Sequence, residues 1–252
     1  MNKVVTMSDS KYFEYGSMFL KTRHRIDADF VLYGPDLTEE QIETLSIFNI
    51  EYKKCSQDDW DNKMQYMKFE FVKNEIDHAN DDCELITFCD FDTFFVNDWS
   101  NEIYKDTNLA ITIRKDMIKK KCLRAYANGG VFMVGVNKKG YELLEVITFV
   151  VSNPNTPSII TKQYNEIWNT LESEKRPEHK RHYRTNLRWW VDQVALSAFV
   201  RAGKKRFKKY NIQLLPCEKF NVLESEPTMD IEDGIYIRHM KTKSGAPANY
   251  KG

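Results

Sequence analysis

Short apolar runs alternate along this chain with longer segments in which apolar residues recur every three or four positions. The runs have the length of β-strands, and the periodic segments have the spacing of amphipathic helices. This alternation predicts a mostly parallel central sheet that is covered by helices. The predicted strands are Val4–Met7, Phe30–Tyr33, the run that begins at Leu85, Leu109–Ile113, Val131–Val134, Ile212–Leu215 and Ile235–Arg238.

The predicted helices fill the segments between these strands. The clearest helix start is Thr38, because Thr38 and Gln41 have the spacing of a capping box. No internal repeat, low-complexity tract or linker divides the sequence, so we expect one α/β domain over residues 1–252. The remaining predicted helices pass through Tyr12–Leu20, Met64–Ile76, Tyr141–Val151, Ile159–Leu171 and Trp189–Arg201.

The run from Leu85 ends in two carboxylates, in the sequence Cys89-Asp90-Phe91-Asp92. An unbroken apolar run predicts a strand that is buried on both faces, as in a parallel sheet. Ligand sites in such sheets form just beyond the carboxyl ends of the strands. Asp90 and Asp92 are hard oxygen ligands suited to Mg²⁺ or Mn²⁺, and an ion held there can bind a diphosphate and neutralise charge as a phosphate leaves.

Two other D-x-D strings lack this position at the end of a strand. Asp27 and Asp29 precede the predicted strand Phe30–Tyr33, so they lie at its wrong end. Asp59 and Asp61 lie in a polar stretch that predicts a helix start, where acidic side chains favour the helix dipole. The metal hypothesis therefore rests on Asp90 and Asp92.

Composition narrows the class of protein further. The 37 Lys and Arg residues balance 37 Asp and Glu residues, which argues against bulk attraction to nucleic acid. The five cysteines are dispersed and show no C-x-x-C spacing, which favours a reducing compartment over a disulfide framework or a zinc site. The sequence has no long apolar segment, so we expect a soluble cytoplasmic protein without a transmembrane segment.

Seven segments with polar residues are spread along nearly the whole chain. They are Thr6-Met7-Ser8-Asp9 with Tyr12, Lys68, Cys89–Thr93, Asn128–Phe132, Asp192-Gln193, Leu215-Pro216 with Phe220-Asn221, and His239-Met240-Lys241. In kind and order they resemble the motifs of GT-A glycosyltransferases, most of all the glycogenin and lipopolysaccharide galactosyltransferase group (similar to glycosyltransferase family 8). The resemblance spans nearly the whole chain and implies a GT-A, Rossmann-like fold.

The resemblance also implies an activity and a set of site residues. It implies sugar transfer from a nucleotide-diphosphate sugar, expected to be a UDP-sugar, to a glycan, lipid or protein acceptor with Mn²⁺ or Mg²⁺. The implied metal ligands are Asp90, Asp92 and His239, and the implied catalytic residues are Asp192 and Gln193. The implied nucleotide-sugar-binding residues are Thr6, Ser8, Asp9, Tyr12, Lys68, Asp90, Phe91, Asn128, Gly129, Gly130, Lys241 and Lys243.

Departures from the family pattern leave two assignments open. The late motif of the family ends in K-P-W, which is missing here, so the phosphate contact is either Lys241 or Lys243. A polar insertion at 77–82 lengthens the segment after Lys68, which makes Arg114 an alternative donor contact.

The reaction type is also open between retention and inversion. Gln193 cannot act as a base, but its amide oxygen can steady positive charge on the sugar in a retaining reaction, with Asp192 holding sugar hydroxyls. The alternative is an inverting enzyme in which Asp192 is the base. A third hypothesis is that the chain binds sugar nucleotides without transferase activity. A sugar-phosphate nucleotidylyltransferase needs a glycine-rich phosphate loop after the first strand, and Thr6–Ser10 contains no glycine. A two-metal phosphohydrolase is disfavoured because the sequence shows no further cluster of acidic residues or histidines.

Overall fold

The computed structural model describes residues 2–114, 127–152, 192–193, 196, 209–224 and 230–240. Most of these residues belong to strands and helices. The strands are β1 (Asn2–Met7), β2 (Ala28–Gly34), β3 (Ile50–Lys54), β4 (Leu85–Cys89), β5 (Thr93–Phe95), β6 (Leu109–Ile113), β7 (Ala127–Gly135), β8 (Ile212–Pro216), β9 (Val222–Glu224) and β10 (Ile237–Met240).

Seven of these strands form the central sheet, in the order β3-β2-β1-β4-β7-β6-β8. All neighbouring pairs are parallel except those of β7, which runs antiparallel to both β4 and β6. The predicted α/β class with a mostly parallel sheet is therefore confirmed. The carboxyl ends of β1, β4, β6 and β8 lie at one edge of the sheet, and the loop after β4 that carries Asp90 and Asp92 lies at this edge.

The helices are α1 (Ser17–Thr22), α2 (Glu39–Ile47), α3 (Gln57–Asp77), α4 (Lys138–Ser152) and α5 (Cys217–Phe220), with 3₁₀ turns at Phe13–Gly16 and Arg23–Arg25. The capping box predicted at the start of α2 is present. The Gln41 N–H donates to Thr38 Oγ1 (3.3 Å), and the Thr38 N–H donates to Gln41 Oε1 (3.0 Å). Asp59 lies in the first turn of α3, as its sequence context predicts.

The sheet has a hydrophobic core on each face. One core joins Val5 and Phe88 to Phe69 of α3 and Leu143 of α4. The other joins inward side chains of the same strands to α1, α2 and β5; its members include Val4, Leu32, Phe19, Leu45 and Phe95. All five residues of β4 are buried, which confirms the interpretation of the run from Leu85 as a strand inside the sheet.

The sequence analysis was wrong or incomplete at several elements, and it did not predict the short strands β5 and β9. The segment Tyr12–Leu20, predicted as one helix, forms a 3₁₀ turn followed by the short helix α1. Strand β3 was not predicted, because its polar residues are tolerated at the edge of the sheet. Strand β7 begins at Ala127, earlier than the predicted Val131, so Asn128 and both following glycines lie within it. The predicted helices at 159–171 and 189–201 lie outside the described residues, apart from Asp192, Gln193 and Leu196.

A buried carboxylate ties α3 to the first three strands. Glu75 accepts hydrogen bonds from Lys3 (2.9 Å), Lys53 (2.7 Å) and the Tyr33 hydroxyl. Burial by itself would raise the pKa of Glu75, but the bonds from Lys53, Tyr33 and Lys3 outweigh it and the pKa is lowered. This network fixes α3 against the sheet. Among the described helices, none is long and apolar enough to cross a membrane.

A small second sheet of order β5-β10-β9 stands beside the central sheet. Strand β5 follows directly on the loop of Asp90 and Asp92, and β10 pairs with it so that His239 lies opposite Thr93. Strand β9 pairs in parallel with the other side of β10. The second sheet therefore carries His239 to the loop at the end of β4.

Candidate metal centre and donor site

Main-chain hydrogen bonds hold the loop that follows β4 on three sides. Asp90 O accepts from the Thr93 N–H (3.1 Å) and from Thr93 Oγ1 (2.7 Å), which closes the loop. The Asp90 N–H donates to Gly130 O of β7 (2.8 Å), and the Met240 N–H of β10 donates to Asp92 O (2.9 Å). The loop is thus fixed to both sheets before any ligand binds.

Asp90, Asp92 and His239 converge at this loop. One ligand atom from each lies within 4.8 Å of the others. His239 Nε2 is 2.7 Å from Asp92 Oδ1 and 3.8 Å from Asp90 Oδ2. His239 is completely buried, whereas the Asp90 side chain is 32 % exposed, so a ligand can approach from the side of Asp90. The structure brings together the three residues that the sequence analysis assigned as metal ligands.

The ring of His239 is oriented by a hydrogen bond on its far side. His239 Nδ1 lies 2.8 Å from Asn221 Oδ1. Because an amide oxygen only accepts, Nδ1 donates to it, and this bond turns the Nε2 atom of the ring toward the two carboxylates. Among the described residues, Nε2 is buried without a hydrogen-bond partner. Two carboxylates and one oriented imidazole form a group that could hold a divalent metal ion.

Lys68 of α3 reaches the same edge of the sheet and is almost fully buried. Its Nζ lies 2.7 Å from Asp192 Oδ2, 3.3 Å from Gly129 O and 3.8 Å from Asp90 Oδ1. Burial alone would lower the pKa of Lys68, but the carboxylates of Asp192 and Asp90 outweigh it and the pKa is raised. Lys68 therefore stays charged and holds Asp192 beside the metal ligands.

Arg114, the alternative to Lys68 in the sequence analysis, lies at the end of β6. Burial raises the pKa of the neighbouring Cys217 thiol to about 11, and the Arg114 guanidinium opposes that shift. The structure thus places Arg114 against Cys217 at the start of α5, while Lys68 contacts Asp192 and Asp90.

Two glycines of β7 allow the carboxylates to approach the backbone. A Cβ atom at Gly129 would lie 2.0 Å from Asp192 Oδ2. A Cβ atom at Gly130 would lie 2.7 Å from Asp90 Oδ2 and 3.0 Å from His239 Cε1. Any side chain at either position would displace a carboxylate, so these glycines serve close approach rather than a turn.

Polar side-chain atoms beside the carboxylates remain available to a ligand. Asn128 Oδ1 accepts from the Gly130 N–H (2.8 Å), and Asp192 Oδ1 accepts from the Gln193 N–H (2.7 Å). Asn128 Nδ2 and Gln193 Oε1 are buried and have no hydrogen-bond partner among the described residues. A buried donor and a buried acceptor of this kind are suited to a ligand rich in hydroxyl groups.

The turn after β1 lies next to the metal loop. Asp9 Oδ1 accepts from the Tyr12 N–H (2.7 Å), and Ser8 is held by its N–H bond to Tyr33 O (3.0 Å). Burial raises the pKa of the Tyr12 phenol, and the nearby charges of Asp92 and Asp90 raise it further. Thr6 and Ser8 are both buried. That Thr6, Ser8, Asp9 and Tyr12 hold a nucleotide stays a prediction.

The structure does not place three of the predicted nucleotide-sugar contacts, Phe91, Lys241 and Lys243, at the site. Phe91 is 1 % exposed and belongs to the hydrophobic core, and its contact with the donor stays a prediction. Lys241 and Lys243 lie outside the described residues. Asn221 was noted in the sequence only as part of a family-like segment. Its contact with His239 depends on the parallel pairing of β9 with β10, which no local pattern indicates.

Comparisons with known proteins identify the fold. No protein-family model matches the chain, and no curated protein sequence matches it. A solved structure of the galactosyltransferase LgtC, in complex with donor and acceptor sugar analogs, matches with a TM-score of 0.57 at 12 % identity, covering 96 % of this chain and 88 % of that chain. An active-site mutant of LgtC matches with a TM-score of 0.54 at 10 % identity, covering 94 % and 86 %.

The chain therefore has the GT-A fold of the glycosyltransferases. The likeness to LgtC confirms the resemblance that the sequence motifs suggested, and at 10–12 % identity it does so for the fold alone. Function depends on the residues of the site, because one fold hosts many activities.

Proposed function

We propose that this protein is a metal-dependent glycosyltransferase that moves a sugar from a nucleotide-diphosphate sugar, expected to be a UDP-sugar, to a glycan, lipid or protein acceptor. One observation carries the proposal. Asp90, Asp92 and His239 converge at the carboxyl-end edge of a GT-A sheet, directly beside the buried pair of Lys68 and Asp192. That edge is where ligands bind in α/β sheets.

The chain offers a separate group of residues for each part of the donor. Asp90, Asp92 and His239 would hold Mn²⁺ or Mg²⁺, which when bound supplies positive charge for the departing diphosphate. Asn128 Nδ2 and Gln193 Oε1, which have no hydrogen-bond partner among the described residues, would bond sugar hydroxyls. The turn of Thr6, Ser8, Asp9 and Tyr12 would bind the nucleotide, and the two lysines after His239, Lys241 and Lys243, would contact its phosphates.

The bonding of Asp192 favours a retaining reaction over an inverting one. An inverting enzyme needs a carboxylate base that takes a proton from the acceptor hydroxyl. Asp192 Oδ2 already binds Lys68 (2.7 Å), and Asp192 Oδ1 binds the Gln193 N–H (2.7 Å). Both oxygens are thus engaged, which suits a carboxylate that orients sugar hydroxyls better than one that accepts a proton. The Gln193 amide oxygen, which has no hydrogen-bond partner among the described residues, would then face the sugar.

Calorimetric titration with a panel of nucleoside diphosphates tests the donor class. We expect one base to bind in the presence of Mn²⁺ and to bind at least about tenfold more weakly in EDTA, because an ion held by Asp90, Asp92 and His239 would supply positive charge for the diphosphate. Equal binding with and without metal would contradict the proposal. A sugar-nucleotide-binding protein without transferase activity would instead show metal-dependent binding with no release of sugar from any nucleotide-sugar donor.

The anomeric configuration of the first product tests the reaction type. With the donor that is hydrolysed fastest, we expect proton NMR to show that the released sugar first has the anomeric configuration of the donor. The mutarotation rate of the free sugar in the same buffer is the control, since it sets how early the spectrum must be taken. An inverted first product would assign Asp192 as the base and reject retention.

A further inference from the structure

The residue between the two metal carboxylates is a phenylalanine whose ring is enclosed. The ring of Phe91 lies 5.5 Å from that of Phe13 and 5.2 Å from that of Phe19, measured between centroids. Only 1 % of Phe91 is exposed. The peptide that joins Asp90 to Asp92 is therefore anchored in the core by a large side chain.

The ring of Phe91 packs directly against Gly16. A Cβ atom at Gly16 would lie 2.0 Å from Cε1 and 2.2 Å from Cζ of Phe91, so the ring occupies the space in which any other residue has its side chain. Gly16 ends the 3₁₀ turn Phe13–Gly16 and immediately precedes α1. Gly16, which is far from the metal loop in the sequence, thus decides whether the Phe91 ring fits in the core.

Phe91 lies between the two residues whose backbone groups hold the metal loop. Asp90 is held through its N–H and C=O groups, and Asp92 through its C=O group. The Phe91 ring adds a point of support in the core between those bonds, and a shift of its backbone would move the adjacent Asp90 and Asp92 carboxylates. Ligand groups need to be held to within about 0.5 Å of productive geometry, so the position of Phe91 matters for binding.

We propose that Phe91 and Gly16 are positioning residues of the metal centre: the Phe91 ring, seated on Gly16, fixes the loop so that both carboxylates face His239. This inference rests on the proposed function, because it assigns a role toward the metal of the same site. It makes metal affinity depend on a glycine that touches no ligand atom.

Two variants, Phe91→Leu and Gly16→Ala, test the inference through Mn²⁺ binding alone, with no nucleotide present. Electron paramagnetic resonance measures free Mn²⁺ in a titration, and we expect each variant to bind Mn²⁺ about tenfold more weakly, the usual effect of losing support for a ligand. In the double variant, leucine removes the clash with the new methyl group. The double variant is therefore expected to bind no more weakly than Phe91→Leu, which is a non-additive result.

Phe30→Leu is the matched control. Phe30 of β2 packs against the same aromatic cluster, with its ring 5.9 Å from Phe19 and 5.8 Å from Phe95, but it lies outside the metal loop. We expect it to lower the thermal midpoint as Phe91→Leu does and to leave the Mn²⁺ dissociation constant unchanged.

The outcomes separate this inference from the function it rests on. If Phe91→Leu lowers the thermal midpoint like Phe30→Leu and binds Mn²⁺ as the unaltered protein does, Phe91 serves folding only and the inference is overturned. If the unaltered protein binds no Mn²⁺, the proposed function and the inference are overturned together. Should Gly16→Ala not fold, the comparison of Phe91→Leu with Phe30→Leu decides the question alone.

Discussion

Replacing Asp92 with alanine is expected to abolish Mn²⁺ binding and sugar transfer while leaving the protein folded. Asp92 Oδ1 lies 2.7 Å from His239 Nε2, so its loss removes one of the three groups that converge on the ion. Metal-ion charge stabilisation is worth several kcal/mol, and at about 1.4 kcal/mol per factor of ten this corresponds to a loss of at least about a hundredfold in turnover. Turnover of the donor and a direct Mn²⁺ titration measure the two effects.

The fold is expected to survive because Asp92 shares its site with a second carboxylate. Removing one of two neighbouring negative charges relieves repulsion in the metal-free protein, which offsets lost contacts. Asp29→Ala is the matched control: it belongs to a D-x-D string at the start of β2, is exposed and is expected to change neither activity nor metal binding. Full activity of Asp92→Ala in EDTA would reject the metal centre.

The sequence predicted the metal carboxylates because the signal is local. Every residue of Leu85–Cys89 is buried, and an apolar run of that length between polar residues is typical of a strand within the sheet. The loop that follows must then lie at the carboxyl-end edge. The capping box of Thr38 and Gln41 was predictable for the same reason, since both of its hydrogen bonds form within four residues.

Contacts between distant segments could not be predicted in this way. Lys68 and Asp192 are 124 positions apart, and their ion pair exists only because β7 leaves room between them at Gly129. The orientation of His239 by Asn221 depends on strands of three and four residues, too short to give a periodic signal. The antiparallel direction of β7 left no trace in the sequence either, because a buried strand has the same composition in both directions.

The charges of the described part of the site favour the binding of a cation. Three carboxylates, those of Asp90, Asp92 and Asp192, lie in a confined region, and among the described residues Lys68 contacts Asp192 and lies near Asp90. Lys68 balances the charge of Asp192, which leaves the pair Asp90 and Asp92 facing His239. A divalent ion cancels that remaining charge, since bound cations are often the largest local charges in such sites. The charge balance therefore links the ion pair to the metal centre.

Lys68→Met is expected to destabilise the protein by about 3–5 kcal/mol, the usual cost of leaving one partner of a buried ion pair without the other. Both side chains are almost fully buried, at 5 % exposure for Lys68 and 3 % for Asp192. The double variant Lys68→Met/Asp192→Asn removes both charges and is expected to recover most of the lost stability. It is not expected to recover activity, because Asp192 would no longer orient the sugar. Urea unfolding and donor turnover measure the two properties separately.

Lys73→Met supplies the control on the same helix. Lys73 pairs with Glu145 at 3.1 Å, but both side chains are partly exposed, at 32 % and 51 %, and exposed pairs contribute only about 0–1 kcal/mol. A loss of stability in Lys68→Met no larger than in Lys73→Met would mean that Asp192 finds another partner or protonates. If the double variant instead stays as unstable as Lys68→Met, the unpaired charge of Asp192 is not the cause, and the hydrogen bond from Lys68 Nζ to Gly129 O (3.3 Å) is the contact that α3 contributes. Recovery of stability without recovery of turnover is the outcome that assigns the pair to the sugar site.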